Sequence, residues 1–224
     1  MEGTTSAEIR STEIVNSLQR CTTEEEALKV YNSWSDTYDQ DVLGLGYNAH
    51  KYTVNKMLKL VTGKETRILD VAAGTGLVGS ELYEYGYTNV DALDPSGESL
   101  AIAEKKEVYK KLMCCAVGED KLDIDEDSYD VVTACGCFGY NLMQPNHLQK
   151  LVRIVKSGGY IIVVTRRSPP PNDVFCGELR ECIQQLKRRY LVNDVTIEDI
   201  PDYFSATERN PSGVSGVVIT LRVC

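Results

Sequence analysis

Apolar residues in this chain recur in two alternating registers. From residue 66 onward, short apolar runs four to seven residues long are separated by stretches of helical periodicity. The runs predict strands at 66–71, 89–93, 111–116, 129–134 and 159–165. The periodic stretches predict helices at 76–85, 99–108, 146–155 and 177–189. Two further strands, 192–200 and 214–223, close the chain. Strands alternating with helices build a mostly parallel sheet with helices on both faces. Ligands then bind outside the carboxyl ends of the strands.

The first 65 residues follow another pattern. Residues 1–22 are polar, and Ile9, Ile14, Val15 and Leu18 form at most one weak helix. The segment is expected to be flexible. Thr23-x-x-Glu26 is a capping-box signature that predicts a helix to Trp34, with Ala27, Leu28, Tyr31 and Trp34 on one face. Residues 39–46 read as a turn-rich link. Residues 47–61 read as an amphipathic helix stopped by Gly63. The two helices form a cap, residues 23–62, on a core of residues 63–224. Cap and core are read as one domain, because the cap is too small to bury a core alone.

The chemistry concentrates after the first strand. Ile68, Leu69 and Val71 fill the strand, and Gly74, Gly76 and Gly79 follow at once. Glycines there allow a sharp turn and close approach of a ligand. The spacing Gly74-x-Gly76-x-x-Gly79 also fits a dinucleotide site, so the ligand has to be decided by charge. Asp70 ends the strand four residues before the first glycine. A carboxylate there would repel a pyrophosphate and suits the ammonium and sulfonium of S-adenosylmethionine (SAM). Asp94 ends the next strand, 18 residues after Gly76. That is close to the ~20-residue spacing of a ribose-binding acid. Pro95 and Ser96 are expected on the ribose and adenine side.

Four segments then resemble, in order, the motifs of class I SAM-dependent methyltransferases. They are Asp70-Val-Ala-Ala-Gly-Thr-Gly76, Leu93-Asp-Pro-Ser96, Ser128-Tyr-Asp-Val-Val132 and Lys156-Ser-Gly-Gly159. Tyr31 to Asp41 and Gly46-Tyr47 are similar to the methyltransferase-like proteins of the Williams–Beuren region. The resemblance implies a Rossmann-like α/β fold with a seven-stranded sheet, whose final pair is a hairpin with an antiparallel last strand. It implies SAM as cofactor, S-adenosylhomocysteine as product, and a site containing Ala72, Gly74, Thr75 and Gly76. Trp34 and Tyr38 are implied to close over the cofactor. The adenine is implied near Val117, Gly118 and Glu119, where the family's acid or amide is displaced or absent. Cys135 opens the loop where the acceptor would approach.

That loop, Cys135-Gly-Cys-Phe-Gly-Tyr140, lacks the Asn/Asp-Pro-Pro-aromatic signature of amino-group methylation on adenine or glutamine. Cys135 has no preceding proline and no partner thiol, so a small residue at a crowded turn outweighs a covalent nucleophile. Arg166 and Arg167 end the fifth strand, as acceptor ligands or as a surface pair; the residues leave both readings open. His50 and His147 read as ordinary histidines rather than bases. No catalytic residue is assigned.

Composition narrows the rest. The 224 residues hold 24 Lys and Arg against 33 Asp and Glu, a net charge of -9. Such a chain has no electrostatic footprint for nucleic acid, which is disfavoured as acceptor. No run approaches the ~18 apolar residues of a membrane span, and no signal peptide is apparent. A cytoplasmic monomer is expected, with the nucleus also open. The eight cysteines fit free thiols, and their spacings fit no zinc site. The lead reading is a SAM-dependent methyltransferase acting on a small molecule or a protein. A non-catalytic SAM-binding module and an NAD-dependent oxidoreductase are the alternatives.

Overall fold

The computed structural model describes residues 13, 14, 17, 18, 20–118, 122–139, 142–167, 174–207 and 212–224, with backbone alone for 174–176. The expected flexibility of residues 1–22 falls largely outside this set. Within it, Ile14 and Leu18 pack against the cap side of the core.

Seven strands form one sheet: β1 (Ile68–Val71), β2 (Val90–Asp94), β3 (Lys111–Cys114), β4 (Tyr129–Cys135), β5 (Val155–Arg166), β6 (Val192–Phe204) and β7 (Val214–Val223). Their spatial order is β3-β2-β1-β4-β5-β7-β6. The first five pair in parallel, while β7 pairs antiparallel with both β5 and β6. β1 and β2 are buried along their whole length, as strands covered on both faces must be.

Alternation along each strand divides the core in two. Leu69, Val71, Val132 and Val163 face α6 (Leu148–Ile154) and α7 (Val174–Arg188). Ile68, Val131, Ile162 and Val164 face the other way, towards α3 (Ala49–Leu60) and α4 (Leu77–Glu84). Removing one fully buried leucine from such a core, Leu82 for example, costs about 2–5 kcal/mol. A short α5 (Gly97–Glu104) joins β2 to β3.

The cap departs from expectation in two places. α1 (Glu24–Trp34) begins where the capping signature predicts, and Thr23 Oγ1 accepts the Glu26 amide at 3.2 Å. The predicted link at 39–46, however, is mostly α2 (Tyr38–Gly44). Its anchor is tertiary: Val42 is buried, and the Asp41 carboxylate accepts the Trp34 indole N–H at 2.9 Å and the Thr37 hydroxyl at 2.8 Å. Tyr47 is not helical. It forms a bridge with Phe204 at the end of β6, and α3 starts two residues later. Asn48 fastens this junction, donating its amide to Tyr203 O at 3.0 Å and its side chain to Ser205 Oγ at 2.6 Å.

β5 begins at Val155, earlier than predicted, because Lys156–Gly159 is a bulge inside the strand rather than a turn before it. A Cβ on Gly159 would lie 2.6 Å from Asp130 O, so the neighbouring strand leaves no room for a side chain there. β6 continues four residues beyond its predicted end, with a register shift between Ile200 and Phe204, the stretch that holds Pro201. No helix among the described residues is long and apolar enough to cross a membrane.

Candidate functional site

A cavity of about 310 Å³ opens at the carboxyl ends of β1, β2 and β4, roofed by α1 and α2. Its floor is the glycine turn. Ala72, Gly74 and Gly76 all have left-handed backbone, with φ of 53°, 54° and 91°. A Cβ on Gly74 would meet nothing within 4 Å, so the backbone there faces open cavity and a ligand can lie against it.

The acid that ends β2 organises this floor. Asp94 Oδ2 accepts the Gly74 amide and Oδ1 accepts the Ser96 amide, both at 2.8 Å. Burial raises its pKa and the two amides oppose that rise. Ser96 in turn caps α5, its Oγ accepting the Ser99 amide at 3.0 Å. Glycine turn, ribose-type acid and helix start are thereby one hydrogen-bonded unit.

Ten of the residues named from sequence line this single cavity: Tyr38, Ala72, Gly74, Thr75, Asp94, Pro95, Ser96, Val117, Gly118 and Cys135. Three others do not. Trp34 is buried at 5% exposure with its indole committed to Asp41, and reaches the site only through ring contacts with Tyr31 and Tyr38. Gly76 lies under the Tyr109 ring instead of in the wall. Asp70 sits behind the turn at 1% exposure, where Thr133 Oγ1 donates to Oδ1 at 2.8 Å and Tyr109 OH to Oδ2 at 2.7 Å. Asp70 is expected to face a ligand ammonium directly or through one water; both its carboxylate oxygens are engaged by these hydroxyls, and it stands behind the cavity wall rather than in it. Burial lifts its pKa to about 6 against the pull of the two hydroxyls. Glu119 lies outside the described residues.

The far end of the cavity is the turn Cys135-Gly136-Cys137. Tyr47 OH lies 3.4 Å from Cys135 Sγ, and a Cβ on Gly136 would meet the Tyr47 and Tyr203 hydroxyls at 2.8 and 3.0 Å. Burial pushes the Cys135 thiol up to about 11, which leaves it protonated and a poor nucleophile. Arg167 pairs with Asp199 of β6, its Nε at 2.9 Å, and Arg166 is exposed; neither lines the cavity. His50 is buried against Tyr47, and burial brings its pKa down to about 4.

Several wall residues escaped the sequence. Leu28 and Tyr31 lie on the apolar face of α1, a face that sequence assigns more readily to packing. Leu142, Met143 and His147 follow β4 at positions without a motif. Asp39 is outside the wall but ties α2 to the turn, accepting from Thr75 Oγ1 and pairing with Lys106 Nζ at 2.6 Å. Among the described residues, no three His, Cys, Asp or Glu side chains gather as a metal site.

Residues 69–163 match the family model described as a methyltransferase domain. The chain is 32% identical over 143 residues to methyltransferase-like protein 27 of Homo sapiens, covering 63% of this chain and 58% of that protein. It is 22% identical over 151 residues to a ubiquinone/menaquinone biosynthesis C-methyltransferase of Campylobacter jejuni, covering 63% of each. The chain thus spans a little under two thirds of the length of these curated relatives. Among solved structures, the cyclase SpnF matches with a TM-score of 0.68 at 15% identity, covering 90% of this chain and 97% of that one. A Haemonchus contortus phosphoethanolamine N-methyltransferase in complex with S-adenosylhomocysteine matches with a TM-score of 0.61 at 13% identity, covering 88% and 60%. At such identities the structures speak for the fold. The family model thus resembles residues 69–163 of this chain, and the solved structures share its fold.

Proposed function

We propose that this methyltransferase domain binds SAM in the cavity and passes its methyl group to a small-molecule or protein acceptor. Asp94 carries the reading. It is an acid at the end of β2, held by the Gly74 and Ser96 amides, with its side chain in the cavity wall. Both oxygens keep lone pairs that suit a ribose diol. Gly74 and Thr75 offer the backbone surface for the methionine moiety, and Val117 and Gly118 border the adenine end. Tyr31 and Tyr38 present aromatic rings to the cavity. A cation placed against such a ring gains about 0.5–2 kcal/mol.

When bound, SAM supplies an activated methyl on a good leaving group. The chain then has to position the acceptor and exclude water. The acceptor enters beside Cys135 and Cys137, where Tyr31 and Tyr38 cover it. The relatives named for ubiquinone and menaquinone biosynthesis weigh towards a small molecule. The oxidoreductase alternative draws on the glycine spacing and is opposed by the acid Asp70 beside the turn. Gly79 is neutral between them, since a Cβ there would lie 2.2 Å from the Tyr109 ring and close packing is asked of the third glycine with either ligand. Its openness serves side-chain packing.

Calorimetric titration with SAM, S-adenosylhomocysteine and NAD tests the proposal. Binding of the first two and not of NAD is expected. NAD binding without either SAM species would overturn it. Transfer of labelled methyl to components of a cell extract then separates an enzyme from a SAM-binding module.

A further inference from the structure

We infer that His147 is the side chain that reads the adenine ring. This deepens the SAM reading above and rests on it. The loop after β3 contributes Val117 and Gly118 to the cavity wall, and neither carries a polar side chain. His147 enters the same wall from a short 3-10 turn, Pro145–His147, that follows β4.

One open space and one hydrogen bond place the imidazole. A Cβ built on Gly118 would lie 3.1 Å from His147 Cε1 and 3.4 Å from Nε2. The bare backbone at 118 is what gives the ring its place, with the Cε1–Nε2 edge the part of the ring next to Gly118. From the other side, the Gln144 amide donates to Nδ1 at 3.2 Å. Nδ1 is thereby an acceptor, and in a neutral ring the proton resides on Nε2. Burial favours the neutral ring by lowering its pKa, while Glu24 pulls the other way.

Adenine presents three ring nitrogens as acceptors. A fixed Nε2–H donor beside Gly118 complements one of them. The Gln144–His147 contact is also a capping box, with Gln144 accepting a backbone N–H at His147. A capping role alone would leave His147 indifferent to the ligand's base, and that difference is measurable.

The experiment titrates S-adenosylhomocysteine and its 1-deaza, 3-deaza and 7-deaza analogues against wild type, His147→Phe and His147→Gln. Wild type is expected to bind one analogue about threefold to tenfold more weakly than the parent, the loss of one neutral hydrogen bond. His147→Phe should lose that discrimination, and His147→Gln, which keeps a donor, should retain part of it. An equal penalty for each analogue in wild type and His147→Phe would overturn the inference. Failure of folded wild type to bind S-adenosylhomocysteine would remove the SAM reading itself. Binding without coupling removes His147 alone.

Discussion

Tyr109 and Asp70, 39 residues apart, meet beneath the glycine turn: the phenol donates to Asp70 Oδ2 at 2.7 Å and accepts the Gly79 amide at 3.1 Å. The pair makes Asp70 a support for the turn from behind. Tyr109→Phe removes a donor from a carboxylate that stays buried and leaves the Gly79 amide without its acceptor. A loss of about 1–3 kcal/mol is expected from urea unfolding. A Tyr109→Phe protein as stable as wild type would return Asp70 to the ligand.

The pH dependence of stability separates two buried groups. Asp70 has its folded pKa raised to about 6, above the ~3.9 of an unfolded chain. Between these values the native state holds more protons, so its contribution is present at low pH and is lost as pH rises through about 6. His50 has its folded pKa lowered to about 4. Its contribution is present above the ~6.5 of an unfolded histidine and is lost as pH falls towards 4. The two slopes oppose one another across pH 4–6. Asp70→Asn should make stability rise more steeply with pH in that window, and His50→Gln should make it fall. Chemical denaturation at pH 4.5, 5.5 and 6.5 checks both signs.

Asp94→Ala should weaken S-adenosylhomocysteine binding at least tenfold. The hydrogen bonds of a charged group are worth about 1.5–3 kcal/mol, and the Gly74 and Ser96 amides lose their anchor with it. Circular dichroism should show the sheet intact. An unchanged dissociation constant in a folded Asp94→Ala protein would move the ribose elsewhere.

The cap is held to the turn by Asp39, which pairs with Lys106 and accepts from Thr75. Asp39→Ala should loosen it by on the order of 1 kcal/mol. Faster protease cleavage within residues 23–47 is expected, with S-adenosylhomocysteine slowing it. Trp34, the sole tryptophan, stacks on Tyr31 and reports the same opening by fluorescence. Cleavage indifferent to both mutation and ligand would identify the cap as fixed packing.

Cys135 should resist alkylation at neutral pH, because burial holds its thiol up to about 11, whereas Cys114 is exposed. Mass spectrometry after brief iodoacetamide treatment should find the label on Cys114 and not on Cys135. Cys135→Ala should keep any methyl transfer within severalfold of wild type, since no covalent step is assigned to that sulfur. Rapid labelling of Cys135 would reopen it as a nucleophile.

The sequence by itself determined the order of strands and helices, the glycine turn, and Asp94 at the end of β2. Each of these is written in near neighbours: alternation selects strand or helix, and glycine turns the backbone sharply with no side chain to stand between it and a ligand. Tertiary structure decided which way the side chains face and what they meet. Asp70 and Asp94 read alike as strand-end acids, yet one is turned into the sheet by Tyr109 and Thr133 and the other into the cavity. Trp34 reads both as packing on the domain and as a cofactor-facing aromatic, and its indole is committed to Asp41. His147 has no local signal, because its position against Gly118 joins loops that follow two different strands. A buried polar group takes whichever partner the packing of distant segments brings within reach, since leaving it unpaired costs about 1–3 kcal/mol. That choice is made in three dimensions, between residues that are far apart along the chain.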